Sequence, residues 1–305
     1  MAGIRVLITG VAGFIGSNLA ERLLGAGYKV VGIDNLAYGF KEQVPQGVEF
    51  HKVDIRSEEI FKIFKGIDFI FHLAAKNDLV ACQENPLETI DINVKGTANV
   101  FEAARQAGVK KIIYASSSAV EEGEARLNGF YAISKLTNER MAKGFSELRL
   151  TTVGLRYFNV YGPRQDYRRA HPPVMSAFII ALLKGNAPVL YGDYKKNKRD
   201  FVYVDNINDF HLLCLKDERV NNRLFRLGSG KSYSMREVYE AVKKIMNSDV
   251  EPVLKPAPPG DTPTETLADI RDARALGWKP KTSIEDGLQK QADYLKDEFA
   301  NGRIK

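Results

Sequence analysis

Along the first half of the chain, short β-branched runs alternate with longer segments in which apolar positions recur every three or four residues. The runs at 6–9, 30–34, 48–53, 69–73, 112–115 and 152–155 read as strands. Helical periodicity fills about 14–25, 57–65, 87–107 and 130–146 between them. This alternation predicts right-handed crossovers and an α/β, doubly wound parallel sheet covered by helices on both faces.

Beyond about residue 165 the rhythm loosens. Pro172-Pro173, a helical pattern at 174–184 and a Gly/Pro-rich stretch at 255–260 interrupt it, while 201–204 and 224–227 again read as buried strands returning to the sheet. The expected organisation is a first domain over 1–168 with a return segment at about 201–230. A smaller, discontinuous lobe is expected from 169–200 and 231–305.

With 305 residues the chain can bury a large core without staples. Its two cysteines, Cys82 and Cys214, stand far apart without metal-ligand spacing, so neither a disulfide nor a metal site is expected. Met1-Ala2-Gly3-Ile4-Arg5 runs straight into the first strand, so no leader is expected. No apolar run approaches the ~20 residues of a membrane span. A cytoplasmic protein without a membrane partner is expected. The net charge of +6, from 44 basic and 38 acidic residues, suits a polyanionic small molecule and does not call for nucleic acid. The basic run Lys195-Lys196-Asn197-Lys198-Arg199, although preceded by Tyr191 and Tyr194, reads as a solvated loop.

The opening V-L-I-T-G-V-A-G-F-I-G places Gly10, Gly13 and Gly16 at the turn from the first strand into the first helix. One glycine permits the tight turn, one lets backbone approach a pyrophosphate, and one lets helix pack on strand: the Rossmann fingerprint. The helix N-terminus offers amides and a positive dipole end to phosphates. The second strand ends at Asp34, where a carboxylate accepts from adenosine ribose hydroxyls and repels a 2′-phosphate, so NAD is expected rather than NADP. The alternative is a purely structural acidic turn at Asp34-Asn35.

Tyr131 and Lys135 form Y-x-x-x-K, one turn apart on one helical face. The same spacing recurs at Tyr191/Lys195, Tyr194/Lys198 and Tyr239/Lys243, so the motif alone identifies nothing. The first copy is distinguished by its place, opening the helix after the strand that ends in Ser116-Ser117-Ser118, where ligands bind in open α/β sheets. A nearby ammonium favours the tyrosine phenolate as a base. Ser117 could instead simply cap a turn.

These residues resemble the extended short-chain dehydrogenase/reductases, in particular the nucleotide-sugar epimerases and dehydratases. The likeness runs through T-G-V-A-G-F-I-G, I-D-N-L, V-D-I-R, H-L-A-A, I-N-V-K-G-T, Y-A-S-S-S-A-V, Y-A-I-S-K, L-R-Y-F-N-V-Y-G-P-R, R-D-F-V-Y-V-D-N and T-L-A-D-I. It implies an NAD-binding first domain and a substrate-binding second lobe. NAD is expected to contact Gly10, Gly13, Phe14, Ile15, Gly16, Asp34, Asn35, Asp54, Ile55, Leu73, Ala74, Ala75, Asn93, Tyr131, Lys135 and Tyr157. Within that set, Asp54 and Ile55 flank the adenine, and Ala74 and Ala75 line the cofactor's path. The resemblance further implies Tyr131 as base, Lys135 on the nicotinamide ribose, and Ser117 with Ser118 at the sugar. Asn159 and Arg199 are implied at the diphosphate.

The family's 4,6-dehydratases carry an Asp-Glu pair where this chain has Ser118-Ala119, so the resemblance implies epimerisation through a 4-keto sugar, with a UDP-hexose or UDP-N-acetylhexosamine as substrate. A nucleotide-sugar reductase or another epimerase is the alternative within the family, and a non-catalytic NAD-binding scaffold or sensor the alternative outside it. Three departures stand out: a shortened segment from Glu121-Glu122-Gly123 to Tyr131, Pro258 in P-P-G-D where related epimerases have an arginine, and an apolar Leu79-Val80-Ala81-Cys82. Aligned on Leu267-Ala268-Asp269, Thr266 falls at a gate beside the sugar's 2-substituent. Its small size predicts room for an N-acetyl group, unless a one-residue shift puts Glu265 there. The helices around 87–107 and 130–146 resemble the family's dimer interface, so a homodimer is expected.

Overall fold

The computed structural model describes residues 3–121, 129–169, 171–256 and 265–304. Two compact units emerge, one formed by Met1–Tyr157 with Asn208–Arg226, the other by Phe158–Ile207 with Leu227–Lys305.

The first unit is built on β1 (Arg5–Thr9), β2 (Lys29–Asp34), β3 (Glu49–Lys52), β4 (Phe69–His72), β5 (Lys111–Ser117) and β6 (Thr152–Tyr157), with the strand Arg223–Leu227 added beside β6. Their order across the seven-stranded sheet is Arg223–Leu227, β6, β5, β4, β1, β2, β3, and the pairs from β6 to β3 are parallel. Strands buried on both faces read as unbroken apolar runs, and Val6, Leu7, Ile8, Ile112 and Ile113 are wholly buried. The order reverses between β1 and β4, opening a crevice at their C-terminal ends.

The helix α1 (Phe14–Gly25) coincides with its expected span. The pattern at 87–107 is divided into Pro86–Ile90, a π-helical turn Asp91–Lys95, and Gly96–Ala107. A side chain at Gly96 would collide with Ile55. The helix Phe130–Glu147 carries the first Y-x-x-x-K motif.

In the second unit, Val160–Tyr161 pairs with Val202–Tyr203, Lys198–Asp200 with Ser232–Ser234, and Val189–Tyr191 with Val253–Lys255. The 201–204 run therefore does not rejoin the central sheet. Its strand is only two residues long, and Val204 already opens the helix Val204–Lys216. Four consecutive apolar residues fit a strand or a helix start equally well. The helix Met235–Ile245 starts at a capping box in which Ser234 and Glu237 satisfy each other's backbone amides. Among the described residues no helix is long and apolar enough to cross a membrane, and no cluster of potential metal ligands occurs.

Candidate active site

The crevice begins at Gly10, which leaves β1 at φ +75° and donates to the Ile33 carbonyl at 2.8 Å. A Cβ there would lie 2.9 Å from the Ala74 backbone, and one on Gly16 only 2.1 Å from the Gly10 carbonyl oxygen. Glycine at both positions is thus a steric requirement. Gly13 precedes α1 without a side-chain cap, and Phe14 and Ile15 open a first turn free of acidic side chains. This helix start is left open to an anion.

Asp34 ends β2 and accepts from the amides of Ala12 and Leu36 at 3.0 and 2.8 Å, while burial raises its pKa. The turn-forming role is therefore real, and each oxygen retains a second lone pair for a ribose hydroxyl. Asn35 donates to Asp54 at 2.8 Å. The bonded Arg56 guanidinium holds the Asp54 carboxyl well below the usual carboxylate range. Ile55 turns into the core.

Across the crevice, Leu73, Ala74 and Ala75 follow β4. The Thr9 hydroxyl accepts from the amides of Leu73 and Ala74, both at 3.1 Å. His72, wholly enclosed, has its pKa pushed down to about 3 by burial and is neutral. Its tautomer follows from its neighbours. Thr97 uses its hydroxyl hydrogen on the Asn93 carbonyl, at 2.6 Å, so His72 Nε2 must donate to Thr97 and Nδ1 must accept from Thr9. Asn93, turned inward by the π-helical turn, brackets the Lys76 backbone at 2.8 and 2.9 Å and donates to Ser134 at 3.2 Å. Ser134 in turn donates to the Tyr131 carbonyl. One polar chain thus joins the glycine turn to the Tyr131 helix.

Ser117 closes β5 and its hydroxyl oxygen accepts from the Ala119 amide at 3.2 Å, leaving its O–H to be directed elsewhere. Lys135, 4% exposed, donates to the Ala115 carbonyl at 3.1 Å, with Nζ 5.7 Å from the centre of the Tyr131 ring. Burial pushes its pKa down to about 8, which leaves it mostly cationic at neutral pH. Ser118 is buried, and Ser116 donates to Glu139 at 2.6 Å. Glu139 grips Arg156 through two bonds at 2.7 and 2.6 Å, and Arg156 and Arg226 both pair with Glu121. The glutamates near the end of β5 are thereby neutralised. Like Ile55, Tyr157 keeps its side chain away from the crevice network. Its hydroxyl bonds His211 at 2.7 Å in the interior, so its backbone is the part left for a ligand.

The other Tyr/Lys copies are built differently. Tyr239 is buried with its hydroxyl on the Val250 carbonyl, and Lys243 pairs with Glu251. Tyr191 ends a strand, and Tyr194 lies outside any helix.

In the second unit, Asn159 and Thr266 meet beside the Asp200 backbone, while Arg199 faces a cavity that neither of them lines. Asn159 donates to the Asp200 carbonyl at 3.0 Å, and the buried Thr266 hydroxyl accepts from the Asp200 amide at 3.2 Å. Arg199 borders a cavity of about 210 Å³ lined also by Tyr191, Asn197 and the apolar Val174, Phe178, Leu190 and Met235. Sequence reasoning missed Asp200. Its buried carboxylate accepts from Ser229, Gly230 and Ala268 and so fixes the segment after Thr266. It also missed Glu139, although the spacing of four from Lys135 was visible. Glu122 and Gly123 of the shortened segment, and Pro258 and Gly260, lie outside the described residues.

The profile of the NAD dependent epimerase/dehydratase family matches residues 6–228. The chain belongs to this family. The UDP-glucose 4-epimerase of Mycolicibacterium smegmatis is 31% identical over 312 residues, covering 96% of this chain and 99% of that protein. The Thermotoga maritima UDP-glucose 4-epimerase, crystallised with UDP-glucose, matches with TM-score 0.91 at 31% identity, covering 97% of this chain and 100% of that one. The UDP-N-acetylglucosamine 4-epimerase of Methanobrevibacter ruminantium, in complex with UDP-N-acetylmuramic acid, also gives 0.91 and 31%, covering 98% and 100%. This epimerase-family chain has the residues that NAD demands: the close-packed glycines, the open start of α1 and the Asp34 carboxylate.

Proposed function

We propose that the protein is a UDP-sugar 4-epimerase working through Ser117, Tyr131 and Lys135. The observation that carries this reading is the buried Lys135 ammonium beside the Tyr131 ring at the end of β5, with Ser118-Ala119 where a dehydratase would need an acid pair. NAD, when bound, supplies reversible hydride acceptance from a sugar carbon. Tyr131, as phenolate, takes the proton of the 4-hydroxyl, and once the 4-keto sugar has turned its other face to the site the same phenol returns that proton to the carbonyl oxygen. Lys135 stabilises the phenolate through its charge and keeps the helix against β5 through Ala115. Ser117 directs its hydroxyl to the reacting oxygen. Glu121 and Glu139, committed to arginines, take no part in proton transfer.

The second unit serves as the substrate lobe. The cavity beside Arg199 suits a flat base, with the guanidinium on the diphosphate and Asn159 supporting it. Thr266, compact and held by Asp200, leaves room for an N-acetyl group, in line with the likeness to the N-acetylglucosamine epimerase. The helices Pro86–Ile90, Gly96–Ala107 and Phe130–Glu147, with Leu87 and Ile133 exposed, form the homodimer surface.

Incubation of the purified protein with UDP-glucose, UDP-galactose and their N-acetyl counterparts tests the activity. Interconversion of at least one pair without net consumption of nicotinamide is expected. Failure with every pair overturns the reading.

A further inference from the structure

Arg56 stands next to the cofactor turn with its charge already engaged. Its Nε and Nη2 donate to the two oxygens of Asp54, each at 2.8 Å, and Nη1 donates to Asp91 at 2.6 Å. The Asp54 oxygen that receives Nη2 also receives the Asn35 amide at 2.8 Å, so guanidinium and Asn35 share one acceptor. Asn35 adjoins Asp34, the carboxylate read above as the ribose acceptor. Lys95 reaches Asp91 from one helical turn further on, at 3.3 Å. Asp54 and Asp91 thus engage Arg56 and Lys95 beside the end of β2.

We propose that Asp54 and Asp91 are specificity-determining residues: by occupying both edges of Arg56 they withhold a latent phosphate-binding group and make the site reject a 2′-phosphorylated dinucleotide. The inference rests on Asp34 facing the ribose. A free guanidinium recognises phosphate through a fork of donors. Here the Nε/Nη2 edge is filled by Asp54 and Nη1 is engaged by Asp91, so a 2′-phosphate would meet a guanidinium whose charge and bidentate edge are already taken. Stability does not explain the Asp91 pair. That carboxylate is more than a third exposed, where ion pairs contribute little. Removing Asp91 would release Arg56 Nη1 and Lys95 together.

The test is calorimetric titration of the cofactor-stripped protein with NAD and with NADP. Wild type should bind NAD and reject NADP, and Asp34→Ser should admit NADP weakly. Asp34→Ser/Asp91→Asn should bind NADP at least tenfold tighter than Asp34→Ser, with the gain shrinking as salt is raised. Adding Arg56→Met should abolish the gain. If Asp34→Ser does not fold, Asp91→Asn alone carries the test, with NADP tightening several-fold and NAD unchanged. Equal NADP affinity with and without Asp91, or a gain that survives Arg56→Met, overturns the inference while NAD binding to wild type upholds the cofactor site. A wild type that binds NADP as well as NAD overturns both.

Discussion

Glu139 accepts a 2.6 Å hydrogen bond from Ser116, fastening the helix that bears Tyr131 and Lys135 to the residue just before Ser117. The same carboxylate neutralises Arg156, whose side chain is largely buried. Glu139→Ala leaves that guanidinium with Glu121 alone and should cost about 3–5 kcal/mol, the usual penalty for breaking a buried pair. Urea denaturation measures it. A loss under about 1 kcal/mol would mean that Glu121 suffices.

Tyr131→Phe keeps the ring and removes the ionisable hydroxyl. Turnover should fall by about 10²–10⁴, with folding and NAD content nearly unchanged. Tyr239→Phe is the contrasting control: it loses the bond to the Val250 carbonyl, so about 1 kcal/mol of stability should go while kcat is kept. Near-normal turnover in Tyr131→Phe would exclude it as the base.

Lys135 gives a stability prediction with a defined sign. Its pKa lies at about 8 in the fold against an ordinary 10.5, so the folded state holds the proton less well than the unfolded chain. Below about pH 8 the fold bears the whole penalty of the buried charge, about 3 kcal/mol, and the penalty fades as pH rises towards 10.5. Lys135→Met forfeits the bond to Ala115, worth about 1 kcal/mol. The cofactor-free variant should therefore be more stable than wild type at pH 7, with the difference vanishing or reversing near pH 10.5. Unfolding curves across that range decide it, and a pH-independent difference would contradict the assigned burial.

Thr266→Tyr should suppress the N-acetylated pair more than the plain pair, because the larger ring fills the space of the 2-substituent. The buried hydroxyl that accepts from Asp200 is also displaced, so stability should fall by about 1–3 kcal/mol. The ratio of kcat/KM for the two pairs does not depend on how much enzyme is folded. An unchanged ratio would remove Thr266 from the sugar pocket.

Strands β1, β2, β4, β5 and β6 were legible because buried parallel strands are apolar runs, the exposed edge strand β3 through the flanking Val48 and Val53, and the Gly10 turn because few other sequences satisfy its sterics. The π-helical turn was not. D-I-N-V-K carries the same periodicity as the helices flanking it, and only the bonds of Asn93 to the Lys76 backbone mark the turn. Ser117, Tyr131 and Lys135 were singled out by motif and position. Glu139 was overlooked because a glutamate four residues beyond a lysine is ordinary on a solvated helix. Asp200 was hidden for another reason: its donors lie 29, 30 and 68 residues away, and such pairings leave no local trace.

The placement of the strand Arg223–Leu227 beside β6 bears on how the chain matures on the ribosome. When β6 has emerged, its outer row of amides and carbonyls has no partner. That partner is made only after Phe158–Ile207, a segment of the other unit, has been synthesised. For that interval Val153 and Leu155 sit in an unprotected sheet edge, the kind of template on which nascent chains aggregate. Slowed translation between residues 158 and 222 should therefore lower soluble yield, whereas a pause after residue 227 should not.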